Sequence, residues 1–193
     1  GADVASAVDR EIAGVPCLVV TPTGDTASRP VMVWIHGGGW VIGSARESEA
    51  TARNLAALAD CVVVSVDYRL APESKFPAAV EDAYAVAEWV AREAPSLGID
   101  RTRVAVGGDS AGGNLAAVVA QLAKAQAGPR LAFQALIYPV TNHSFDTESY
   151  RANADGYLLT RSAMEWFWNH YLRSPLDGHN PVASPLRAAD LDR

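Results

Sequence analysis

The sequence predicts an α/β fold on a mostly parallel sheet, and three features predict it. Short, mostly apolar runs alternate with segments of helical period. Val31–Ile35 is apolar throughout, as expected of a strand covered on both faces. Glycine-bearing turns stand where strands give way to helices. With 193 residues, 49% of them apolar, the chain is long enough for one sizeable core.

Taken in order, Val15–Val20 reads as a strand stopped by Thr21-Pro22-Thr23-Gly24, and residues 24–29 as a loop or hairpin. Val31–Ile35 is a buried-type strand leading into the glycine turn Gly37–Gly39. Ser48–Ala59 has helical spacing, and Cys61–Val66 is another buried-type strand. Pro77 opens the next helix, a position where proline is welcome. There Val80, Ala83, Tyr84, Ala87, Val90 and Ala91 share one face, with Glu88 and Arg92 paired i,i+4 outside. Pro95 and Gly98 end it. Arg103–Val106 is a short strand, Ala111–Ala125 a helix and Phe133–Tyr138 a further strand. Strands separated by helices argue parallel pairing through crossovers. After Pro139 the texture changes. Val140–Thr160 is polar and irregular, and Arg161–Leu172 is a helix crowded with Met164, Trp166, Phe167, Trp168 and Tyr171. Ser174–Pro185 is rich in proline. Residues 1–139 thus read as a core, 140–185 as a cap-like excursion over one sheet edge, and 186–193 as a return towards the core. No internal repeat or low-complexity stretch interrupts this order.

Composition narrows the function. The net charge is -6 with no basic cluster, which argues against a nucleic-acid partner. Mean hydropathy of +0.03 argues against disorder. No apolar run approaches the roughly 20 residues of a membrane span. Gly1-Ala2-Asp3 carries no signal pattern, so the N-terminus reads as a processed, cloned or trimmed end and the setting as cytoplasmic. Cys17 and Cys61 lie far apart in apolar surroundings and read as buried thiols; two cysteines alone make no zinc site, and no metal is expected.

The sharpest chemical signal is Gly108-Asp109-Ser110-Ala111-Gly112 between a strand and a helix. G-x-S-x-G in that context describes a nucleophile elbow, a turn so tight that its flanks admit little beyond glycine, with the serine hydroxyl thrust above the sheet. The plainer reading is a glycine-rich turn with a helix-capping serine. The second signal is His36-Gly37-Gly38-Gly39-Trp40, directly after the strand Val31–Ile35. Consecutive glycines let backbone N–H groups converge on one point, as the oxyanion of an acyl-transfer intermediate requires. A phosphate-cradling loop is the competing reading. It fails because Ile42 stands where the third glycine of G-x-G-x-x-G belongs, and no Walker pattern is present.

His36–Trp40, Asp67-Tyr68-Arg69-Leu70-Ala71-Pro72-Glu73, Phe76–Asp82, Gly108–Leu115 and Ser184-Pro185-Leu186 occur in this order. On them the chain resembles the hormone-sensitive-lipase-like esterases of the α/β-hydrolase superfamily, over roughly Val15 to Leu186. The resemblance implies a three-layer fold and a cofactor-free hydrolase of short- to medium-chain carboxylic esters. It implies Ser110 as nucleophile and Gly38, Gly39 and Ala111 as the oxyanion hole, with His36 and Gly37 shaping that loop. A mobile helical cap including Met164–Tyr171 would cover the pocket, with Trp40, Asp109, Trp166 and Phe167 as candidate lining residues. A core-packing role for the Trp-rich helix and a turn-fixing role for Asp109 stay open. Asp67, Arg69, Glu73 and Asp82 would form a structural acid–arginine network.

The resemblance also implies a triad Asp and His downstream of Ser184-Pro185-Leu186, outside these 193 residues, so the α/β-hydrolase fold is expected to be incomplete in this chain. His36 belongs to the glycine loop, and His143, His170 and His179 do not sit where the family's base sits. The strand Phe133–Tyr138 is then expected to be an edge with unpaired backbone groups, awaiting a complementary C-terminal segment of the same hydrolase; a homodimer through sheet edges is a further expectation. The alternatives are a receptor-like protein that binds a small ligand on the same scaffold, or an inactive fragment.

Overall fold

The computed structural model describes residues 1–24, 28–93 and 98–191. Its strands are β1 (Ser6–Ile12), β2 (Val15–Thr21), β3 (Arg29–Ile35), β4 (Val62–Val66), β5 (Ile99–Asp109) and β6 (Phe133–Ile137), in one sheet of order β1-β2-β4-β3-β5-β6. Its helices are α1 (Glu49–Ala59), α2 (Ala78–Glu93), α3 (Ala111–Ala125), α4 (Glu148–Ala152) and α5 (Arg161–Tyr171), with 3₁₀ turns at Pro175–His179 and Pro185–Arg187. From β4 to β6 every pairing is parallel, while β2 runs antiparallel to β4 and β1 antiparallel to β2.

The two faces of the sheet sort by alternation. Leu18, Val20, Trp34 and Val63 pack with Ala52 and Ala56 of α1. Val19, Val31, Val33, Val62, Val64, Val104 and Val106 point the other way, into a larger core with α2, α3 and α5. The central strands are covered on both faces, which gives the three expected layers.

Several expected boundaries move. β1 has no counterpart in the apolar pattern, because Asp9, Arg10 and Glu11 face solvent on an edge strand. β5 begins at Ile99 instead of Arg103; the exposed polar residues Arg101, Thr102 and Arg103 hide its start. A short α4 interrupts the stretch read as irregular, capped by the Thr147 hydroxyl, which accepts from the Tyr150 amide at 3.2 Å. Arg92 pairs with Glu93 at 3.0 Å rather than with Glu88. The expected loop at 24–29 falls partly, and the expected helix stop at Pro95 wholly, outside the described residues. Both cysteines are buried free thiols, and burial pushes Cys17 up to about 12.

The acid–arginine network is narrower than expected. Arg69 binds Asp82 through Nε and Nη2 at 2.8–3.0 Å and reaches Glu81 at 3.2 Å. Asp67 instead accepts the Ala45 amide at 2.9 Å, and Glu73 is exposed. No helix among the described residues is long and apolar enough to cross a membrane.

Candidate active site

Register brings the two chemical motifs together. Ile35 ends β3 directly beside Gly108 of β5, so the loop after β3 and the corner after β5 leave the sheet at the same end of its parallel strands. At the corner the chain reverses within two residues. Ser110 has φ +55°, a conformation that side chains other than glycine rarely adopt. A Cβ at Gly112 would fall on the carbonyl oxygens of Ile35 and His36, and one at Gly108 on Ile35 O and the Gly112 backbone. Glycine at both positions is therefore a requirement of space.

The Ser110 backbone is held on two sides. Its amide donates to Ile137 O at 2.9 Å, and its carbonyl accepts from Asn114 at 3.0 Å and from Val140 at 3.2 Å. The side chain is half-buried, and no hydrogen bond to its hydroxyl forms among the described residues. The capping-turn reading does not hold, since the Ser110 side chain makes no cap bond to α3.

The glycine loop is shaped from below. Tyr68 donates to His36 O at 3.0 Å, and its ring stacks on the His36 imidazole at 4.4 Å. His36 is buried, with Nδ1 2.6 Å from Gly37 O, which assigns that nitrogen the proton. Burial lowers its pKa, and the imidazole is held neutral. The Gly37 amide donates to Asp109 Oδ1 at 3.1 Å. Gly38, at φ +107°, closes a turn in which its carbonyl accepts from Val41 at 3.1 Å and Ile42 at 3.0 Å. The amides of Gly38, Gly39 and Ala111 form no hydrogen bond among the described residues. Among the described residues the loop thus leaves two amides unspent and the corner leaves one, on the residue next to Ser110 and its unbonded hydroxyl.

The pocket candidates divide. Asp109 fixes the turn through Gly37, as its plainer reading held. Phe167 lies on the loop itself, its ring filling the space a Cβ at Gly39 would take. Trp40 is fully buried, stacked on Tyr171 at 4.4 Å and tilted on Trp168 at 4.5 Å, so it lines no open space. Trp166 is 47% exposed and packs on Phe167 and His170. Met164, Trp168 and Tyr171 of α5 belong to the main core, which favours the packing reading of this helix.

No histidine is hydrogen-bonded to Ser110. His143 packs against Phe145 and Trp168, His170 lies on Trp166 with Nδ1 2.9 Å from Trp166 O, and His179 is exposed. Among the described residues no three acidic, His or Cys side chains group as a metal site would.

One anchoring residue carried no role in the sequence reading. Asn114 is fully buried in α3, and its Nδ2 donates to Val140 O at 2.6 Å and Ala183 O at 2.9 Å. A lone amide in the run Gly112–Ala117 was the available signal. Nearby, buried Ser184 donates to Gly178 O at 2.8 Å and accepts the His143 amide at 2.9 Å.

Residues 32–193 match a family model described as the alpha/beta hydrolase fold. Among curated relatives, the esterase LipI of Mycobacterium tuberculosis is 46% identical over 169 residues, covering 86% of this chain and 52% of that protein. An ethyl acetate hydrolase of Pseudomonas putida is 43% identical over 158 residues, covering 80% of this chain and 49% of that protein. The chain spans about half the length of these relatives. A solved hyperthermophilic esterase from the archaeon Pyrobaculum calidifontis superposes with a TM-score of 0.93 at 43% identity, over 99% of this chain and 63% of that one. The chain belongs to the α/β-hydrolase fold family, in its hormone-sensitive-lipase-like esterase branch.

Proposed function

We propose that this chain carries the nucleophile and oxyanion hole of a serine hydrolase that cleaves carboxylic esters of short to medium acyl length. The Ser110 oxygen adds to the ester carbonyl and gives its proton to a general base. The carbonyl oxygen becomes an oxyanion held by the amides of Gly38, Gly39 and Ala111. The intermediate collapses to an acyl-serine, and the alcohol leaves with the proton. Water then attacks the acyl-serine, releasing the carboxylic acid and restoring the hydroxyl. No cofactor enters this sequence. One observation carries the reading: Ser110, at a positive-φ corner, has an unbonded hydroxyl among the described residues, and the glycine loop that Asp109 ties to this corner leaves the amides of Gly38 and Gly39 unbonded, as the Ala111 amide is.

The base and its orienting acid come, in this reading, from polypeptide outside these 193 residues that adds to β6. Within the described sheet β6 pairs with β5 alone, and Phe133 and Ile137 on it are 63% and 43% exposed. A groove of about 840 Å³ runs beside it, lined by Ala120, Leu131, Phe133, Leu136, Leu186 and Leu191 among others. Because the Ser110 amide bonds to Ile137, a strand added to β6 lies one strand away from the hydroxyl.

Hydrolysis of p-nitrophenyl butyrate by the full-length protein, this chain together with the polypeptide that supplies the base, tests both statements. It is expected to vanish in Ser110→Ala and to stay within about twofold in His143→Gln, His170→Gln and His179→Gln. Activity that persists in Ser110→Ala overturns the nucleophile, and loss in any one His variant moves the base into this chain. A protein that binds such esters without turning them over is the receptor-like alternative.

A further inference from the structure

We propose that Lys75 and Phe167 are positioning residues for the oxyanion loop: Lys75 pins the C-terminus of α5, and the pinned helix holds the Phe167 ring against Gly39. The proposal rests on the ester-hydrolase reading above.

The last carbonyls of a helix have no partner within it. In α5 they are taken by two consecutive residues from another part of the chain. The Lys75 ammonium donates to Asn169 O at 3.2 Å, His170 O at 2.8 Å and Leu172 O at 2.9 Å. The neighbouring Phe76 amide donates to Tyr171 O at 2.8 Å. Trp168 O is satisfied locally by Leu172. A cation at this end is also favoured by the helix dipole. The helix end is thus fastened to the segment before α2.

Phe167 lies one turn before Tyr171 on the same helix, and its ring covers Gly39. Gly39, at φ +58°, presents one of the unspent amides. On the next residue, Trp40 stacks flat on Tyr171 with 5° between planes, and its carbonyl accepts the Ala71 amide at 2.8 Å. Helix end, aromatic stack and glycine loop are therefore joined by continuous contacts. This differs from the mobile cap that the family resemblance implies: the segment over the loop is fixed at its C-terminal end, and a donor array that must not reorganise during reaction gains from such fixing.

The test compares Lys75→Met, Lys75→Arg and Phe167→Ala with the parent enzyme. Steady-state hydrolysis of p-nitrophenyl butyrate is read beside amide hydrogen exchange at Gly37, Val41 and Ile42, whose hydrogen bonds frame the loop. Lys75→Met and Phe167→Ala are expected to lower kcat about tenfold or more with KM changed less than about twofold. Both are expected to speed exchange at the three amides. Lys75→Arg, which still donates to carbonyls, is expected to restore most of kcat. A lower Tm with kcat and exchange unchanged overturns the proposal, as does a change in KM alone. If Lys75→Met fails to fold, Phe167→Ala decides by the same readouts. A full-length parent protein with no esterase activity overturns the hydrolase reading instead, and the exchange arm still decides whether Lys75 and Phe167 hold the loop.

Discussion

The amide of Gly37 donates to Oδ1 of Asp109 at 3.1 Å, joining the glycine loop to the residue before Ser110 across 72 positions of sequence. Donors and nucleophile thereby share a frame. Asp109→Ala is expected to cost about 1–3 kcal/mol by leaving that amide unpaired and to lower kcat. Asp109→Asn keeps an acceptor and is expected to recover most of both. Thermal melts and ester kinetics on the two variants check this, and equal losses in Ala and Asn would contradict it.

The corner has no room for a methyl group. In Gly112→Ala the new Cβ meets the carbonyl oxygens of Ile35 and His36, which are strand-end backbone and cannot swing away. The expected cost is about 1–3 kcal/mol or more, as for overpacking, with loss of Ser110 reactivity. Gly14→Ala, where a Cβ meets nothing within 4 Å but φ is +79°, isolates the backbone cost. Denaturant titration of both separates space from strain, and a Gly112→Ala no worse than Gly14→Ala would contradict the crowding argument.

Acid is expected to weaken the loop through His36. Its buried Nε2 has no hydrogen-bond partner among the described residues, so a proton there would be an uncompensated buried charge, and burial lowers the pKa from 6.5. A folded pKa below the unfolded one gives stability that is complete above about pH 6.5 and is lost as pH falls through that value towards the folded pKa. His143 shifts the same way, through burial and then the neighbouring His179 and Arg187. Tm is therefore expected to fall between pH 7 and pH 5, and less steeply in His36→Asn. An unchanged slope in that variant would assign the acid sensitivity elsewhere.

Asn114 fastens the segment after β6 and the buried turn at Ala183 to the helix that starts at the nucleophile. Asn114→Ala orphans two carbonyls and is expected to cost about 2–4 kcal/mol. Asn114→Asp, which replaces the donor by an acceptor facing two carbonyls, is expected to be no better. Denaturant midpoints measure both, and a cost below about 0.5 kcal/mol would show that the amide is dispensable.

The sequence made the sheet centre and its chemistry readable because there the local and tertiary signals coincide. Val31–Ile35 and Val62–Val66 are apolar on both faces, so burial writes the strand directly. Gly108-Asp109-Ser110-Ala111-Gly112 is readable because a crossing of three backbone segments admits only glycine at its tightest points. Legibility fades where structure is set from outside. Most of β1 and residues Arg101, Thr102 and Arg103 of β5 are exposed, and polar side chains there write no strand period. Lys75 reads as an ordinary surface charge, because its partners lie 94 to 97 residues away. Trp40 follows the glycines and looks like pocket, yet two aromatic residues of α5, distant in sequence, bury it completely.

The central claim concerns one oxygen atom, and trapping its acyl adduct tests it most directly. The full-length protein is mixed with p-nitrophenyl butyrate, quenched in acid within the first turnover, digested and read by mass spectrometry. The account predicts one butyryl group on the peptide carrying Ser110, absent in Ser110→Ala. A butyryl group on another residue, or p-nitrophenol released in a burst with no adduct on Ser110, would contradict it.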